Sequence, residues 1–383
     1  MVTADRIGEL MKKDIIVFGA GKIGEKFIYQ YFDKVDINCI WDNRKEGDFL
    51  GYQIRKPSVQ KKCFIIVATV FYMEIREQLM CMGYREFDDF IPYQIFQKKI
   101  AVAYGNCHMA AVRAYLERHK AFSLEYGFYP FPPIYEIKNF KGDYYGILQR
   151  CELFIHQSIR KNNVYGEEYS SESILQHLNR KCEVIAVPNL YGRAKYLFPQ
   201  LVTGKDWQVG SFCPFFIDRN VALWIKEGRR IEEIKKYIFI GGVYNKMEII
   251  GLWEHFVQEI ERREQEWNIK ILDYILFNQR KKKIFCDINH ITSETACEIA
   301  NRLLSYMNYD KQNFFEIPMM DDLEVFVYAD VKDALGLEFE EGCIRKWGKT
   351  NCLQICEMSE EAYIEQLYQF TKFCINLRKV KEH

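Results

Sequence analysis

The 383-residue chain carries no net charge, since 53 lysines and arginines are matched by 53 aspartates and glutamates. That balance removes any global electrostatic pull toward nucleic acid or an anionic membrane surface, so a phosphate-bearing ligand has to be held by local cations. Long hydrophobic runs are missing as well. The longest, Cys63 to Met73, falls well below the roughly 18 residues that cross a bilayer as a helix. The first fourteen residues lack the apolar core and small-residue cleavage site of a secretory signal, and the expectation is a cytoplasmic protein without a transmembrane segment. No C-x-x-C pair occurs among the 13 cysteines, an odd number, which argues against a disulfide framework or zinc site and for reduced thiols, most of them small core residues. Low-complexity tracts, solenoid periods and coiled-coil heptads are absent too.

What is present is material for a large core: 25 Tyr, 28 Phe and 6 Trp, with 49 % hydrophobic residues overall. At this length two or three domains are expected. The same grammar occurs twice. Lys12-Lys13 and Lys98-Lys99 each precede an apolar run, a glycine turn and an amphipathic helix, the opening of an α/β domain. The first unit continues through a strand at Ile37 to Asp42, a buried strand at Cys63 to Thr69 and a helix near Tyr72 to Met82; Pro92 and the polar Gln94 to Lys99 stretch then place a boundary near residue 97. Beyond it, short apolar runs at Leu153 to Ile155 and Glu183 to Val187 read as strands, and Val221 to Ile240, Lys246 to Arg263, Thr292 to Met307 and Ser359 to Leu377 as helices. The expected fold class is α/β, with a small Rossmann-like domain over 1–97 and a larger, helix-rich domain over 98–383.

Gly19-Ala-Gly21-Lys-Ile-Gly24 fits G-x-G-x-x-G between a strand and a helix. Its first two glycines permit a tight turn and close approach of a pyrophosphate, and the third permits helix packing. Asp42, at the end of the next strand, is placed to bind ribose hydroxyls. The alternative is a plain α/β turn. The region resembles the small N-terminal Rossmann-like domains of bacterial sugar-modifying enzymes, with an Asp42-Asn43 pair followed by Gly51-Tyr-Gln-Ile54. The expected ligand is a nucleotide or nucleotide-linked sugar; about ninety residues is too few for both halves of a dinucleotide domain, which disfavours redox chemistry.

The run Ile100-Ala-Val-Ala-Tyr-Gly-Asn-Cys107 breaks at Gly105 and Asn106 and presents Cys107 where a helix begins. A helix N-terminus favours thiolate, the nucleophilic form, and amides around Gly105 and Asn106 offer an oxyanion hole. Far downstream, Asp287-Ile-Asn-His290 has the spacing with which a carboxylate orients an imidazole that acts as base. The alternatives are a buried structural cysteine and a helix-capping Asp287. His108 sits next to the thiol but off its helix face, which suits ligand contact. Gln157 and Asn189 follow two further strands, where α/β sheets gather site residues, and are candidates for substrate or oxyanion binding.

Gly105-Asn-Cys-His108, Phe154-Ile-His-Gln157, Val187-Pro-Asn-Leu-Tyr191 and Asp287-Ile-Asn-His290, in that order, resemble the blocks of the WcbI family of capsule-polysaccharide biosynthesis proteins over roughly residues 98–340. One departure is His108, where that family usually has Gln. The resemblance implies a coenzyme A-binding O-acetyltransferase acting on a sugar or polysaccharide precursor, with acetyl-CoA as co-substrate and polysaccharide-assembly proteins as partners. The Asp-x-x-His block is also similar to that of SGNH-type hydrolases and acyltransferases, with cysteine for their serine. Arg193 and Lys195, or Arg160 and Lys161, would then meet the phosphates of coenzyme A. Within the transferase reading, passage of the acyl group through Cys107 and direct transfer with His290 as sole base both stay open, and so do two other readings: a carbohydrate esterase using the same residues with water, and a non-catalytic sugar-nucleotide-binding scaffold with Cys107 structural.

Overall fold

Two pentapeptides, Asp14–Phe18 (β1) and Cys63–Val67 (β5), are apolar from end to end apart from Asp14, and all their residues but Asp14 are buried. Strands of that kind belong in the middle of a parallel sheet covered on both faces. In the computed structural model, which describes residues 14–60, 63–203, 216–315, 325–339, 344–347, 355–359, 361–362, 364–369 and 371–372, they are the two central strands of a six-stranded sheet.

Its order is β3-β4-β2-β1-β5-β6, with β2 at Ile37–Trp41, β3 at Gly47–Phe49, β4 at Tyr52–Arg55 and β6 at Phe90–Pro92. All neighbours run parallel except the β3/β4 hairpin at one edge. Helix α1, Lys22–Tyr31, follows β1, and α2, Tyr72–Cys81, follows β5. A second sheet, of four strands, has the order β10-β9-β7-β8, from β7 at Lys99–Tyr104, β8 at Tyr126–Phe128, β9 at Leu153–Gln157 and β10 at Glu183–Val187. The expected boundary near residue 97 falls between β6 and β7.

The chain divides into two compact units that do not follow that boundary. One takes Met1–Met109 with Leu116–Ile185, and the other Ala110–Tyr115 with Ala186–His383. The first sheet and all of the second but the last two residues of β10 therefore lie in the first unit. A buried polar knot ties them: Glu86 accepts Arg76 Nε at 2.6 Å and the hydroxyls of Tyr72 and Tyr129, and Arg76 Nη1 donates to the Lys141 carbonyl at 3.1 Å. Arg76 and Glu86 side chains are only 4 % and 5 % exposed; every charge in the knot is matched, as burial requires.

The second unit is mostly helical. The expected helix over Val221 to Ile240 is in fact two, α4 at Arg219–Lys226 and α5 at Ile231–Ile240. Gly228, at φ +79°, breaks them, a left-handed conformation that ends a helix. Asp218 is buried and caps α4, accepting the amides of Asn220 and Val221 and the Tyr328 hydroxyl; burial pushes its carboxyl up to about 6. The long helix α6, Lys246–Arg263, agrees with expectation. Its Trp253 and Phe256 pack on Tyr196 and Phe285. Helix α7, Ser293–Tyr306, is capped by Thr292; of the apolar face expected on Ile299, Leu303, Leu304 and Met307, the first three are buried, while Met307 follows the last helical residue and is half-buried. Tyr115 of this unit donates its hydroxyl to the Ser293 carbonyl at 3.0 Å. For the helix expected over Ser359 to Leu377, residues 361–362, 364–369 and 371–372 are helical, Ser359 lies ahead of them and accepts the Ala362 amide at 3.2 Å, and the remaining residues lie outside the described ones. No helix among the described residues is long and apolar enough to cross a membrane.

Candidate active site

The thiol turn is built by β7 and its neighbour β9. Tyr104 pairs with His156 across the two parallel strands, which brings the turn after Tyr104 beside Gln157. Gln157 Oε1 accepts the Asn106 amide at 2.9 Å. A Cβ on Gly105 would come within 2.4 Å of that oxygen, so only glycine admits the contact. Asn106 Oδ1 accepts the His108 amide at 3.0 Å, the side-chain capping that opens an α-helix. Cys107 is consequently the first residue of the helix α3, Cys107–Arg118, and is partly exposed. His108 points inward at 1 % exposure.

Behind Gln157, Ser171 Oγ donates to the Gln157 carbonyl at 3.2 Å and accepts the Ile159 amide at 2.8 Å. Nothing in the sequence singled out Ser171. His156, on the other face of β9, is 5 % exposed and stacks on Phe154; burial holds its pKa below the usual range. Across the turn, the Ile134 amide donates to the Gly105 carbonyl at 2.9 Å. Arg160, on the loop after β9, is exposed, and Lys161 pairs with Glu172 at 2.8 Å.

The imidazole belongs to the second unit. Ile284 to Cys286, an apolar run that reads as a strand, is instead one side of a tight loop: Phe285 and Ile291 form an isolated antiparallel bridge, and the Cys286 amide donates to the His290 carbonyl at 2.8 Å. The ladder goes no further because Thr292, directly after Ile291, already caps the helix Ser293–Tyr306. Within the loop Asp287 Oδ1 accepts the amides of Asn289 and His290 at 2.7 and 2.9 Å. Its other oxygen, Oδ2, lies 2.8 Å from His290 Nδ1. With the Asp287 side chain 4 % exposed and that of His290 29 % exposed, the carboxylate is enclosed while the ring keeps an open edge. A proton on Nδ1 shared with the carboxylate leaves Nε2 of the neutral ring as a proton acceptor. Both readings of Asp287 are thus partly met: it orders the turn before α7, and it holds the imidazole.

The loop after β10 leans on the same turn. The Ala194 amide donates to the Ile288 carbonyl at 3.4 Å. Asn189 Oδ1 accepts the Tyr191 amide at 3.3 Å and so shapes its own loop. Arg193 Nη1 lies 3.8 Å from Glu259, and Lys195 is exposed. The Arg262 guanidinium, against some burial and with help from Arg263, holds the Glu259 carboxyl down to about 2.

The glycine turn of the first sheet has the geometry its motif predicts. Gly19 has φ +128°, and a Cβ there would meet the Ala68 carbonyl oxygen at 2.6 Å. A Cβ on Gly24 would lie 1.9 Å from the Gly19 carbonyl, whereas Gly21 faces open space. Asp42 Oδ2 accepts the Ala20 amide at 3.0 Å, and Oδ1 accepts the Arg44 and Lys45 amides at 2.8 and 2.9 Å. Burial pushes the Asp42 carboxyl up, but these amides and the Lys45 ammonium outweigh it and leave the pKa below the usual range. Among the described residues no cluster of three His, Cys, Asp or Glu side chains is arranged to hold a metal.

A family model for the polysaccharide biosynthesis enzyme WcbI matches residues 100–312. No curated protein sequence matches the chain. A solved structure, described as native WcbI, a novel polysaccharide biosynthesis enzyme, without a disulfide bond between CoA and a cysteine, aligns with a TM-score of 0.56 at 18 % identity. The alignment covers 72 % of this chain and 90 % of that one.

Proposed function

Because the chain belongs to the WcbI polysaccharide biosynthesis enzyme family, we propose that it is an acetyl-CoA-dependent O-acetyltransferase acting on a sugar hydroxyl of a surface-polysaccharide precursor in the cytoplasm. The observation that carries this reading is the Asp287–His290 pair, an enclosed carboxylate holding Nδ1 of a partly open imidazole. That arrangement supplies a general base and stabilises the imidazolium it becomes.

In the proposed reaction His290 Nε2 takes the Cys107 proton. The sulfur attacks the thioester carbonyl, and its electron pair moves onto the oxygen, held by amides of the Gly105–Cys107 turn. Collapse of the tetrahedral adduct breaks the bond to the coenzyme sulfur, which leaves with the proton from His290. Acetyl-Cys107 then yields to the sugar hydroxyl, deprotonated by the same ring, and the cysteine is regenerated. Asn106 has given its amide to Gln157, so its part is to fix the turn, and the Gly105 and Cys107 amides are the assigned donors. We assign His108, Gln157 and Asn189 to shaping the substrate site, and Arg193, Lys195 and Arg160 to the phosphates of coenzyme A.

The solved WcbI is described by reference to a bond between CoA and a cysteine, which supports a role for a thiol near the coenzyme; we give that role to Cys107. The glycine turn, with its packed Gly19 and Gly24 and open Gly21, we assign to a nucleotide-linked sugar. The decisive experiment is calorimetry of the full chain with acetyl-CoA, paired with intact-mass analysis. Binding with a gain of one acetyl group on Cys107 is expected. Folded protein that neither binds acetyl-CoA nor acquires the group would sink the proposal.

A further inference from the structure

Tyr115 is fully buried, and a phenol hydroxyl in that position needs a hydrogen-bond partner. It has two within reach. Its Oη lies 3.0 Å from the Ser293 carbonyl oxygen and 2.6 Å from that of Phe315, and the Tyr115 and Phe315 rings tilt against each other with centroids 4.8 Å apart. The tyrosine backbone is held as well. Its carbonyl is among the last four of α3, the group that a helix leaves without an internal partner, and Gln312 Nε2 donates to it at 3.1 Å. Gln312 is in turn tied to Asn301 of α7: its amide donates to Asn301 Oδ1 at 2.9 Å, and its carbonyl accepts from Asn301 Nδ2 at 3.1 Å. Helix α7 therefore grips Tyr115 at two levels, directly at Ser293 and, about two turns on, through Asn301 and Gln312.

These contacts lead to both groups of the proposed chemistry. Tyr115 stands on the helix that Cys107 opens, and its stretch, Ala110–Tyr115, belongs to the unit that carries His290. An α-helix rises about 1.5 Å per residue, so the thiol end of α3 is a stiff arm of about 12 Å from the anchored ring. On the other side of the contact, Ser293 is the first residue of α7 and follows His290 by three. The loop before it is not slack. The Cys286 amide donates to the His290 carbonyl at 2.8 Å, and the Ile284 carbonyl accepts the Thr292 amide at 3.0 Å and the Thr295 hydroxyl at 3.1 Å. A phenylalanine would fill the same space as Tyr115; what the hydroxyl adds is a fixed point on the backbone at the start of α7.

We infer that Tyr115 is a positioning residue: by fixing α3 to the start of α7, its hydroxyl sets the reach from the His290 imidazole to the Cys107 thiol. The inference rests on the reading of His290 as the base for Cys107. Tyr115 acts through the two helices and not on the reacting atoms, and a displacement of about 1 Å between such groups costs about a hundredfold in rate.

The test uses the full chain as wild type, Tyr115→Phe, His290→Ala and the double variant, with the circular dichroism spectrum as the folding control. Alkylation of Cys107 by iodoacetamide is followed by peptide mass spectrometry between about pH 5 and pH 10, a range that spans paired and unpaired thiols. The midpoint in wild type should lie below that in His290→Ala. Tyr115→Phe should move it up toward the His290→Ala value by about one pH unit, or about tenfold in rate below the midpoint. The double variant should match His290→Ala, because both changes break the same pair. A lower melting temperature with the wild-type pH profile would make the hydroxyl a packing bond and overturn the positioning role. A further shift on adding Tyr115→Phe to His290→Ala overturns it too, since the hydroxyl would then act on the thiol without the base. If His290→Ala itself keeps the wild-type profile, the base assignment fails and the inference with it. Gln312→Ala removes the second hold and leaves the phenol in place, and it gives the same readout should Tyr115→Phe fail to fold: a midpoint shifted upward supports the role, and an unchanged one overturns it.

Discussion

Gln157 holds Asn106 by its backbone, Oε1 to amide at 2.9 Å, across a gap that a side chain on Gly105 would close. A residue first considered for substrate contact thereby becomes the brace of the nucleophile turn. Substituting Gly105→Ala puts a methyl 2.4 Å from that oxygen and 2.9 Å from the Met109 Cβ. Overpacking of this kind costs about 1–3 kcal/mol. The expected result is a lower melting temperature and loss of Cys107 labelling by acetyl-CoA; a variant that keeps both would show that the Gln157 brace is dispensable.

Removing the nucleophile separates chemistry from folding. Cys107→Ala should reduce acetyl transfer by on the order of a thousandfold and abolish the acetyl adduct. Because the side chain is small and partly exposed, the circular dichroism spectrum and melting temperature should stay as in wild type. Turnover within a few fold of wild type would remove Cys107 from the reaction.

Asp287→Asn tests the orientation of the imidazole. The amide can still accept the Asn289 and His290 backbone protons through its oxygen, but it presents NH2 to His290 Nδ1, where the carboxylate now lies at 2.8 Å. The ring must then change tautomer or turn away. A fall in kcat of about a hundredfold or more is expected with little change in melting temperature, and a kcat near that of wild type would relegate Asp287 to capping.

The glycine turn has its own structural test. Gly24→Ala forces a methyl to within 1.9 Å of the Gly19 carbonyl, which pushes α1 off β1. The cost is expected to exceed that of a surface Gly→Ala change by at least about 1 kcal/mol, read as earlier unfolding in urea. Gly21→Ala, with open space around it, should leave stability nearly unchanged and serves as the comparison.

Asp218 makes stability depend on pH in the second unit. Folding raises this carboxyl from 3.8 to about 6, so the native state keeps a proton that the unfolded chain has lost. Its contribution is fully present below about pH 4 and is lost as pH rises through 6; two pKa units correspond to roughly 3 kcal/mol. Asp218→Asn should flatten that loss: relative to wild type it gains stability on going from pH 4 to pH 7. Parallel melting-temperature profiles for the two proteins would contradict the shift.

Local pattern made much of this legible. Buried Val and Ile runs gave β1, β5 and β9 because a doubly covered strand needs apolar residues on both faces. The glycine spacing forecast a turn whose strained φ and close contacts are present. Legibility ended where a role depends on partners remote in sequence. Gln157 as a brace needs Asn106, 51 residues away, and Ser171 reaches the turn through the Gln157 carbonyl, 14 residues away. The loop at Phe285 to Ile291 looked like a strand because its flanks are apolar, but its polar centre folds around the Asp287 carboxylate instead. The break at Gly228 was visible as a glycine; its positive φ was not.

The Glu86 knot bears on how such a chain can be rearranged. One carboxylate gathers donors from Tyr72 and Arg76 upstream of residue 97 and from Tyr129 downstream of it. Grafting the first ninety-odd residues onto another member of the family would keep the Arg76–Glu86 ion pair but take from it the Tyr129 hydroxyl and the Lys141 carbonyl, and a buried polar group left a hydrogen bond short costs about 1–3 kcal/mol. Exchange of the glycine-turn region is viable only as a set that carries Tyr129 and the Lys141 carbonyl with it, so the piece that inherits together is larger than the piece that reads as a domain.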